Sequence, residues 1–309
     1  MAAKRGVSTC WKSAEAKDGD ELISGMARIG LSGLELEYRI RGRMYRQMKG
    51  SLTQGHFQVL SIHAPFPLPD DLPRTSASGD LFNMASWDAD VRREAVAVTR
   101  KTLETANDLE VDRVVLHGGY IEELKDEARA FHEALKREQT LSPAAKEDLE
   151  RLIERRSEKA SEGVDRLLFC LESLLKPAER LGVSICLENR FSPHELPDKD
   201  ELSRILGAFE GASIGFWLDV GHAAFQERLG LASLEDWLEF VPGPLKGVHV
   251  HDCKAWDAHL PPGRGDVDFK RLESAFECAP VLIFEIDGSF PPEAVIEGIE
   301  YFENEFPAD

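Results

Sequence analysis

The sequence has 309 residues, of which 42% are hydrophobic, and its formal net charge at pH 7 is −19. This composition supports a large core, but it disfavours nucleic acid as a partner, because non-specific affinity for DNA comes from Lys and Arg contacts with phosphates. No apolar run approaches the ~20 residues that span a bilayer, and the first residues lack an apolar signal segment. We therefore expect one cytoplasmic domain over residues 1–309 with no membrane partner; whether it forms a homo-oligomer stays open.

Short apolar runs recur along the chain, and most are followed by a helical pattern that is clearest between Val164 and Leu181. Strands that are apolar throughout and alternate with helices indicate a parallel sheet covered on both faces. The recurring unit therefore predicts an α/β protein with a closed (β/α)₈ TIM barrel. The predicted strands are Gly6–Cys10, Gly33–Glu37, Phe57–His63, Arg113–His117, Val183–Glu188, Ser213–Asp219, Lys246–His251 and Val281–Glu285.

The segment between the fourth and fifth predicted strands is longer than a barrel needs. It is highly charged, and Ser142-Pro143 has the cap residue and first-turn proline of a helix start. An additional charged helical insertion is therefore predicted at about residues 120–160. Its role as a solvated surface elaboration, a lid or a dimer arm stays open. A second long segment, Phe66–Met84, follows the third strand and is expected to cap the same site.

Ionisable residues stand at or just after the predicted carboxyl ends of the third to eighth strands. In a closed barrel these ends converge on one mouth, where the chemistry of this fold lies. A buried ionisable group without a partner costs several kcal/mol, so a shared function explains the pattern better than chance. Imidazole and carboxylate ligands suit divalent metals, and we expect one to three ions of Zn, Mn, Co or Mg. The predicted ligands are His63, His117, Glu188, Asp219, His222, His249, Asp257, His259 and Glu285.

The motifs around these residues carry a family resemblance. "HAP" ends the third strand, "LEN" ends the fifth, "DVGHA" follows the sixth, and "GVHVHD…DAHLPPGRGDVDF" runs into the last unit. The chain resembles the xylose-isomerase-like TIM barrels, the superfamily that holds sugar phosphate isomerases and epimerases and endonuclease IV. The resemblance covers essentially the whole chain apart from the insertion.

The epimerase branch implies a single divalent ion held by Glu188, Asp219, His249 and Glu285. Glu188 and Glu285 would also be the catalytic acid/base pair on opposite faces of a bound ketose. Those epimerases have an arginine six positions after the strand-seven histidine, whereas this chain has Ala255. The function predicted first is a metal-dependent isomerase or epimerase of a small sugar or sugar phosphate.

Other polar residues of the same region receive supporting roles. In the epimerase branch, His222 would contact a substrate hydroxyl. His251 is expected either to contact substrate or to make a supporting hydrogen bond, and Arg264 to reach an anionic substrate group. Asp252 is expected to orient a ligand or cap a turn. Surface or loop positions with no role are expected for His56, His132 and His194.

The endonuclease IV branch implies nine ligands for three zinc ions that cleave a phosphodiester, and all nine predicted ligands have a counterpart there. Asp257 and His259 would extend one ion to a cluster. Three divalent ions would leave these ligands net positive, which suits a phosphate, whereas one ion would leave them net negative, which suits a neutral polyol. The Gly-rich continuation after "LEN" and the Pro-Gly of that enzyme are missing. A metal-dependent phosphoesterase is therefore the alternative, and a non-catalytic metal or sugar binder is another.

Overall fold

The computed structural model of the protein describes residues 3–239 and 243–307. The strands are β1 (Lys4–Ser8), β2 (Gly33–Leu36), β3 (Gln58–His63), β4 (Arg113–Leu116), β5 (Gly119–Tyr120), β6 (Ser184–Glu188), β7 (Glu195–Leu196), β8 (Ile214–Asp219), β9 (Leu245–Val250), β10 (Asp252–Lys254), β11 (Asp257–Leu260) and β12 (Val281–Phe284). The helices are α1 (Cys10–Ser13), α2 (Gly19–Ala27), α3 (Gly42–Thr53), α4 (Ala89–Asp108), α5 (Lys125–Glu138), α6 (Pro143–Leu181), α7 (Lys199–Ala208), α8 (Val220–Leu229), α9 (Asp236–Glu239), α10 (Glu273–Cys278) and α11 (Pro292–Glu305). Short 3₁₀ helices cover Arg74–Ser76, Glu122–Leu124 and Phe269–Leu272.

Within these residues, eight parallel strands close a barrel in the order β1-β12-β9-β8-β6-β4-β3-β2. The predicted (β/α)₈ barrel is confirmed, and each predicted apolar run overlaps one barrel strand. The first run was placed too far along the chain: β1 ends at Ser8, and Cys10 begins α1. The chain turns there because Lys12 and Ser13 donate backbone hydrogen bonds to Thr9 O.

Two helices, α5 and α6, occupy the long segment between β4 and β6. Ser142 caps α6 as its motif predicts, with its hydroxyl accepting the Ala145 N–H. α6 then runs for 39 residues into the helix that packs on the barrel. An ion pair between Glu127 and Arg155 ties α5 to the first half of α6. In the described part of the chain, no helix combines the length and apolarity that crossing a bilayer requires.

Strand register brings the predicted ligands onto the inner face of the barrel. Asp219 of β8 lies opposite His249 of β9, and Glu188 of β6 lies opposite Trp217 of β8. Residues two apart in a strand point to the same face, so Trp217 and Asp219 share the face that carries Glu188 and His249. Trp217 on this face also belongs to a small hydrophobic cluster that is separate from the main core. The cluster contains Leu60, Val115, Cys186, Trp217, Val281 and Ile283.

Candidate metal centre

Four buried residues with metal-capable side chains converge at the carboxyl end of the barrel: Glu188, Asp219, His249 and Glu285. Their ligand atoms all lie within 4.8 Å of one another. His249 Nδ1 lies 3.3 Å from a Glu285 oxygen, 3.5 Å from a Glu188 oxygen and 3.6 Å from an Asp219 oxygen. Among the described residues this buried nitrogen has no hydrogen-bond partner. A lone pair facing three carboxylates fits a divalent cation, whose charge would offset their mutual repulsion; we call this set the central group.

A buried glutamate of β2 fixes the orientation of His249. The imidazole Nε2 lies 3.1 Å from both oxygens of Glu35, and Ser61 donates its hydroxyl to Glu35 at 2.8 Å. Because Nε2 donates to Glu35, Nδ1 is the ring nitrogen that faces the other three residues, and it would offer its lone pair to an ion that displaces its proton. Burial lowers the pKa of His249, but Glu285 and Glu35 raise it well above its ordinary value. Carboxylate partners of this kind set the tautomer and basicity of histidine ligands.

A second group, His63, His117 and Glu188, shares its glutamate with the central group. One Glu188 oxygen lies 3.2 Å from His63 Nε2 and 3.1 Å from His117 Nε2. The outer nitrogens face Ala64 O at 3.0 Å and Asp80 at 2.9 Å. Burial raises the pKa of Glu188, but its imidazole neighbours, His117 first, lower it well below its ordinary value. Glu188 therefore stays a carboxylate between the two groups.

A third group combines His251, His259 and Glu285. His251 Nε2 lies 2.9 and 3.1 Å from the two oxygens of Asp219, and its Nδ1 accepts the His259 N–H at 2.9 Å. His251 thus holds a central ligand in place, which is one of the two roles its position suggested. Burial, and then the neighbouring His251, lower the pKa of His259 to about 4. His259 is therefore a neutral imidazole.

The other residues expected at the site lie at different distances from these groups. The His222 backbone donates to Asp219 at 2.7 Å, and its ring Nδ1 lies 3.3 Å from Glu188. Asp257 is exposed and belongs to none of the three groups, although it lines the cavity above them. Arg264 pairs with Glu297 at 3.0 Å and is absent from the cavity lining.

Asp252 organises the loop that carries His259. Its carboxylate accepts backbone hydrogen bonds from Cys253, Gly263, Gly265 and Val267 at 2.8 to 3.1 Å. Its expected role in capping a turn is therefore confirmed. Two carboxylates that support the site were missed from the sequence. Glu35 lies inside the run "GLELE", where an acidic residue in a buried strand was the available signal; Asp80 lies in the 66–84 segment, whose path no local pattern reveals.

A cavity of about 840 Å³ lies above the metal-capable groups, with His222 and His259 among its lining residues. The expectation that Phe66–Met84 caps the site is confirmed, because Ser76, Ser78, Asp80 and Leu81 contribute to the wall. α5 adds a further wall. The remaining lining includes the aromatic residues Phe191, Phe225, Trp256 and Phe290.

The surface or loop position expected for His132 is wrong. This α5 residue lines the cavity, stacks on Phe225 at 5.4 Å and 8°, and meets Phe191 edge-on at 5.2 Å. Both ring nitrogens are buried, and neither has a hydrogen-bond partner within the described ranges. Burial lowers its pKa to about 4. The local sequence is that of a charged surface helix, so only the docking of α5 over the barrel reveals this contact.

Curated relatives match part of the chain at low identity. An uncharacterized protein of Methanocaldococcus jannaschii is 26% identical over 211 residues, which are 67% of this chain and 56% of that protein. The match therefore spans little more than half the length of that relative. A probable endonuclease 4 of Mycobacterium leprae is 25% identical over 226 residues, covering 71% of this chain and 68% of its own length.

Solved structures with the same fold cover nearly the whole chain. A D-tagatose 3-epimerase-like protein aligns with a TM-score of 0.66 at 22% identity, over 97% of this chain and 96% of its own. A D-psicose 3-epimerase determined in the presence of D-fructose aligns with a TM-score of 0.64 at 16% identity, over 97% and 98%. Residues 24–305 match the family described as "Xylose isomerase-like TIM barrel". The resemblance inferred from the motifs is confirmed: the chain belongs to the xylose isomerase-like TIM barrel family.

Proposed function

We propose that this protein is a divalent-metal-dependent isomerase or epimerase of a small polyol or ketose. The observation that carries the proposal is the central group, Glu188, Asp219, His249 and Glu285, beneath a cavity of small-molecule size. Its buried His249 Nδ1, which has no hydrogen-bond partner among the described residues, faces three carboxylates, as a metal ligand would. The likeness to the D-psicose 3-epimerase supports a ketose as the substrate class to test first.

The proposed roles follow from the positions of the four side chains. Glu188, Asp219, His249 and Glu285 would hold the ion. A bound divalent ion would polarise a substrate oxygen and stabilise the negative charge that develops on it. Glu188 ends β6 and Glu285 directly follows β12, and each has a carboxylate oxygen close to His249 Nδ1. One glutamate would take a proton from a substrate carbon and the other would return one, since two bases on opposite faces invert a carbon centre.

The cavity supports a small substrate with both apolar and hydroxyl surfaces. Phe191, Phe225 and Trp256 offer ring faces to the C–H side of a polyol, and pockets of this kind combine apolar walls with few polar groups. His222 and His259 contribute ring nitrogens near the central group, where substrate hydroxyls would lie. Residues of α5 and of the 66–84 segment both contribute to the wall and cover this side of the cavity.

The experiment is proton exchange in deuterated water. Protein loaded in turn with Mn, Co, Mg or Zn is incubated with a panel of ketoses and polyols, and deuterium uptake at carbon is followed by NMR. We expect uptake on at least one substrate, reduced 10²-fold or more in Glu188→Gln and in Glu285→Gln because each removes a proton-transfer group. His56→Ala, which removes an exposed histidine just before the amino end of β3, is the matched control.

Three results of this experiment lead to different conclusions. Uptake that both glutamine variants abolish supports the proposal. Tight metal binding with no uptake on any member of the panel contradicts it and favours a non-catalytic metal or sugar binder. Uptake that survives both variants contradicts the acid/base roles of Glu188 and Glu285.

A second candidate, a phosphoester hydrolase of the endonuclease 4 type, is favoured by one specific observation. Two further metal-capable groups flank the central group, and they share Glu188 and Glu285 with it. A cluster of ions can clamp both oxygens of a phosphoester displacement. Incision of an abasic-site duplex, lost in Glu285→Gln, would support this candidate. Absence of incision with every metal above would exclude it.

A further inference from the structure

The guanidinium of Arg190 lies against the second metal-capable group, His63, His117 and Glu188, and is fixed from the opposite side. Arg190 follows β6 by two residues, and only 3% of its side chain is exposed. Its Nη2 donates to Asp80 at 3.0 Å and to Glu195 at 2.6 Å. Removing a buried guanidinium from two carboxylates would leave charges unpaired, which costs several kcal/mol. Arg190 is therefore held in this position.

The other terminal nitrogen of Arg190, Nη1, lies 2.6 Å from His117 Nε2. Arginine offers only N–H donors and stays protonated in proteins, so His117 Nε2 must accept this hydrogen bond. The second ring nitrogen, Nδ1, donates to Asp80. The 2.6 Å contact with a donor-only guanidinium requires an unprotonated Nε2 in this arrangement.

A metal ion at His117 would need the lone pair of Nε2, which already accepts the hydrogen bond from Arg190. A zinc ion binds imidazole nitrogen at about 2.0–2.1 Å, in the direction that the guanidinium N–H already takes. The ion and the guanidinium therefore exclude each other. The central group differs, because nothing in the described part of the chain donates to His249 Nδ1. Arg190 also places a positive charge near Glu188, as an ion at this group would.

We infer that Arg190 takes the place of a metal ion at the His63–His117–Glu188 group. This group stays metal-free, and the ion of the reaction binds the central group. The inference rests on the proposed function, since it assumes metal at the central group. The inference also narrows the substrate class. A site that holds a phosphoester between several metal ions would lack the ion beside His63 and His117. A neutral polyol or ketose is then the fitting substrate.

The test is metal stoichiometry, which does not depend on turnover. Full-length protein is stripped with chelator, loaded with zinc, passed through a desalting column and analysed for ions per chain. The proteins are the wild type, Arg190→Met, His63→Ala and the double variant. His56→Ala corrects for incidental binding by an exposed imidazole. Thermal unfolding of each protein checks that it is folded.

We expect His63→Ala to bind as many ions as the wild type. Arg190→Met should bind one more ion per chain, and the double variant should lose that additional ion. One ion fewer in His63→Ala, or no gain in Arg190→Met, overturns the inference. If Arg190→Met does not fold, the comparison of His63→Ala with the wild type decides alone. A wild type that binds no ion contradicts the proposed function, whereas the inference is still judged by whether Arg190→Met gains an ion that needs His63.

Discussion

His249 and Glu35 form a hydrogen-bonded pair across the barrel interior, with the imidazole Nε2 3.1 Å from both carboxylate oxygens. The pair leaves His249 Nδ1 as the only ring atom available to the central group. It therefore links a strand at the start of the chain to the ligands of β6, β8 and β12. We therefore expect metal affinity to depend on Glu35, a residue that would not itself contact the ion.

Glu35→Gln should weaken metal binding about 10- to 100-fold, since loss of a carboxylate partner of a histidine ligand has effects of this size. Ser61→Ala removes only the 2.8 Å hydrogen bond to Glu35 and should weaken binding less. The measurement is a zinc titration against a competing chelator. Equal affinities for Glu35→Gln and the wild type would contradict the role of the pair.

Gly221→Ala should destabilise the metal-free protein by about 1–3 kcal/mol, as other insertions into packed sites do. A Cβ at this position would lie 1.9 Å from the His251 ring, which is held by Asp219 and by the His259 N–H. Chemical denaturation measures the free energy of unfolding.

Gly207→Ala is the matched control for that substitution. Gly207 lies in α7, and a Cβ added there would have no neighbouring heavy atom within 4 Å, so alanine should raise stability by about 0.5 kcal/mol. A Gly221→Ala protein as stable as the wild type would show that the His251 ring is not fixed as described.

Asp252→Ala should cost about 2–4 kcal/mol of unfolding free energy, because backbone N–H groups of the loop, among them those of Gly263 and Gly265, lose a charged acceptor. Asp268→Ala, an exposed aspartate that accepts from Lys270 N alone in its helix cap, should cost less than 1 kcal/mol. Denaturant unfolding of both variants gives the comparison. Similar losses would contradict the special role of Asp252.

His132 should make stability depend on pH between 4 and 6.5. Its pKa is about 4 in the folded chain, against about 6.5 in an unfolded one, so the unfolded state binds more protons in this window. The stabilisation is complete above pH 6.5 and is lost as pH falls toward 4, by roughly 1–2 kcal/mol.

His132→Phe keeps the stack on Phe225 but removes the titrating group. Its unfolding free energy should therefore fall less than that of the wild type when pH drops from 6.5 to 4. Parallel curves for the two proteins would show that His132 does not titrate as its burial indicates.

The fold was predictable because each barrel strand overlaps a short apolar run, and most of these runs are followed by a helical pattern, which is a local signal. The residues of the central group were predictable for a related reason, since Glu188, Asp219 and His249 stand at or near the carboxyl ends of strands that the barrel topology brings together. Residues that contact the site from distant segments of the chain were not predictable. Asp80 reaches His117 from a loop, and His132 reaches the cavity through the docking of α5; both depend on tertiary packing.

The contact of Arg190 with His117 is a second example of packing that the sequence does not reveal. Its position beside Glu188 is visible in "LENR", but nothing in the sequence shows that its guanidinium reaches His117. Nine residues with the identities of metal ligands therefore need not hold three ions. Whether each lone pair is available depends on neighbours such as Arg190 and Glu35, which only the structure brings into contact.

The central claim is that a divalent ion binds at His249 Nδ1. The most direct measurement is anomalous X-ray diffraction from crystals grown with zinc and with manganese. We expect a strong anomalous peak about 2.0–2.3 Å from His249 Nδ1, surrounded by the carboxylates of Glu188, Asp219 and Glu285, with no peak between His63 and His117. A peak at those two histidines and none at His249 would contradict it.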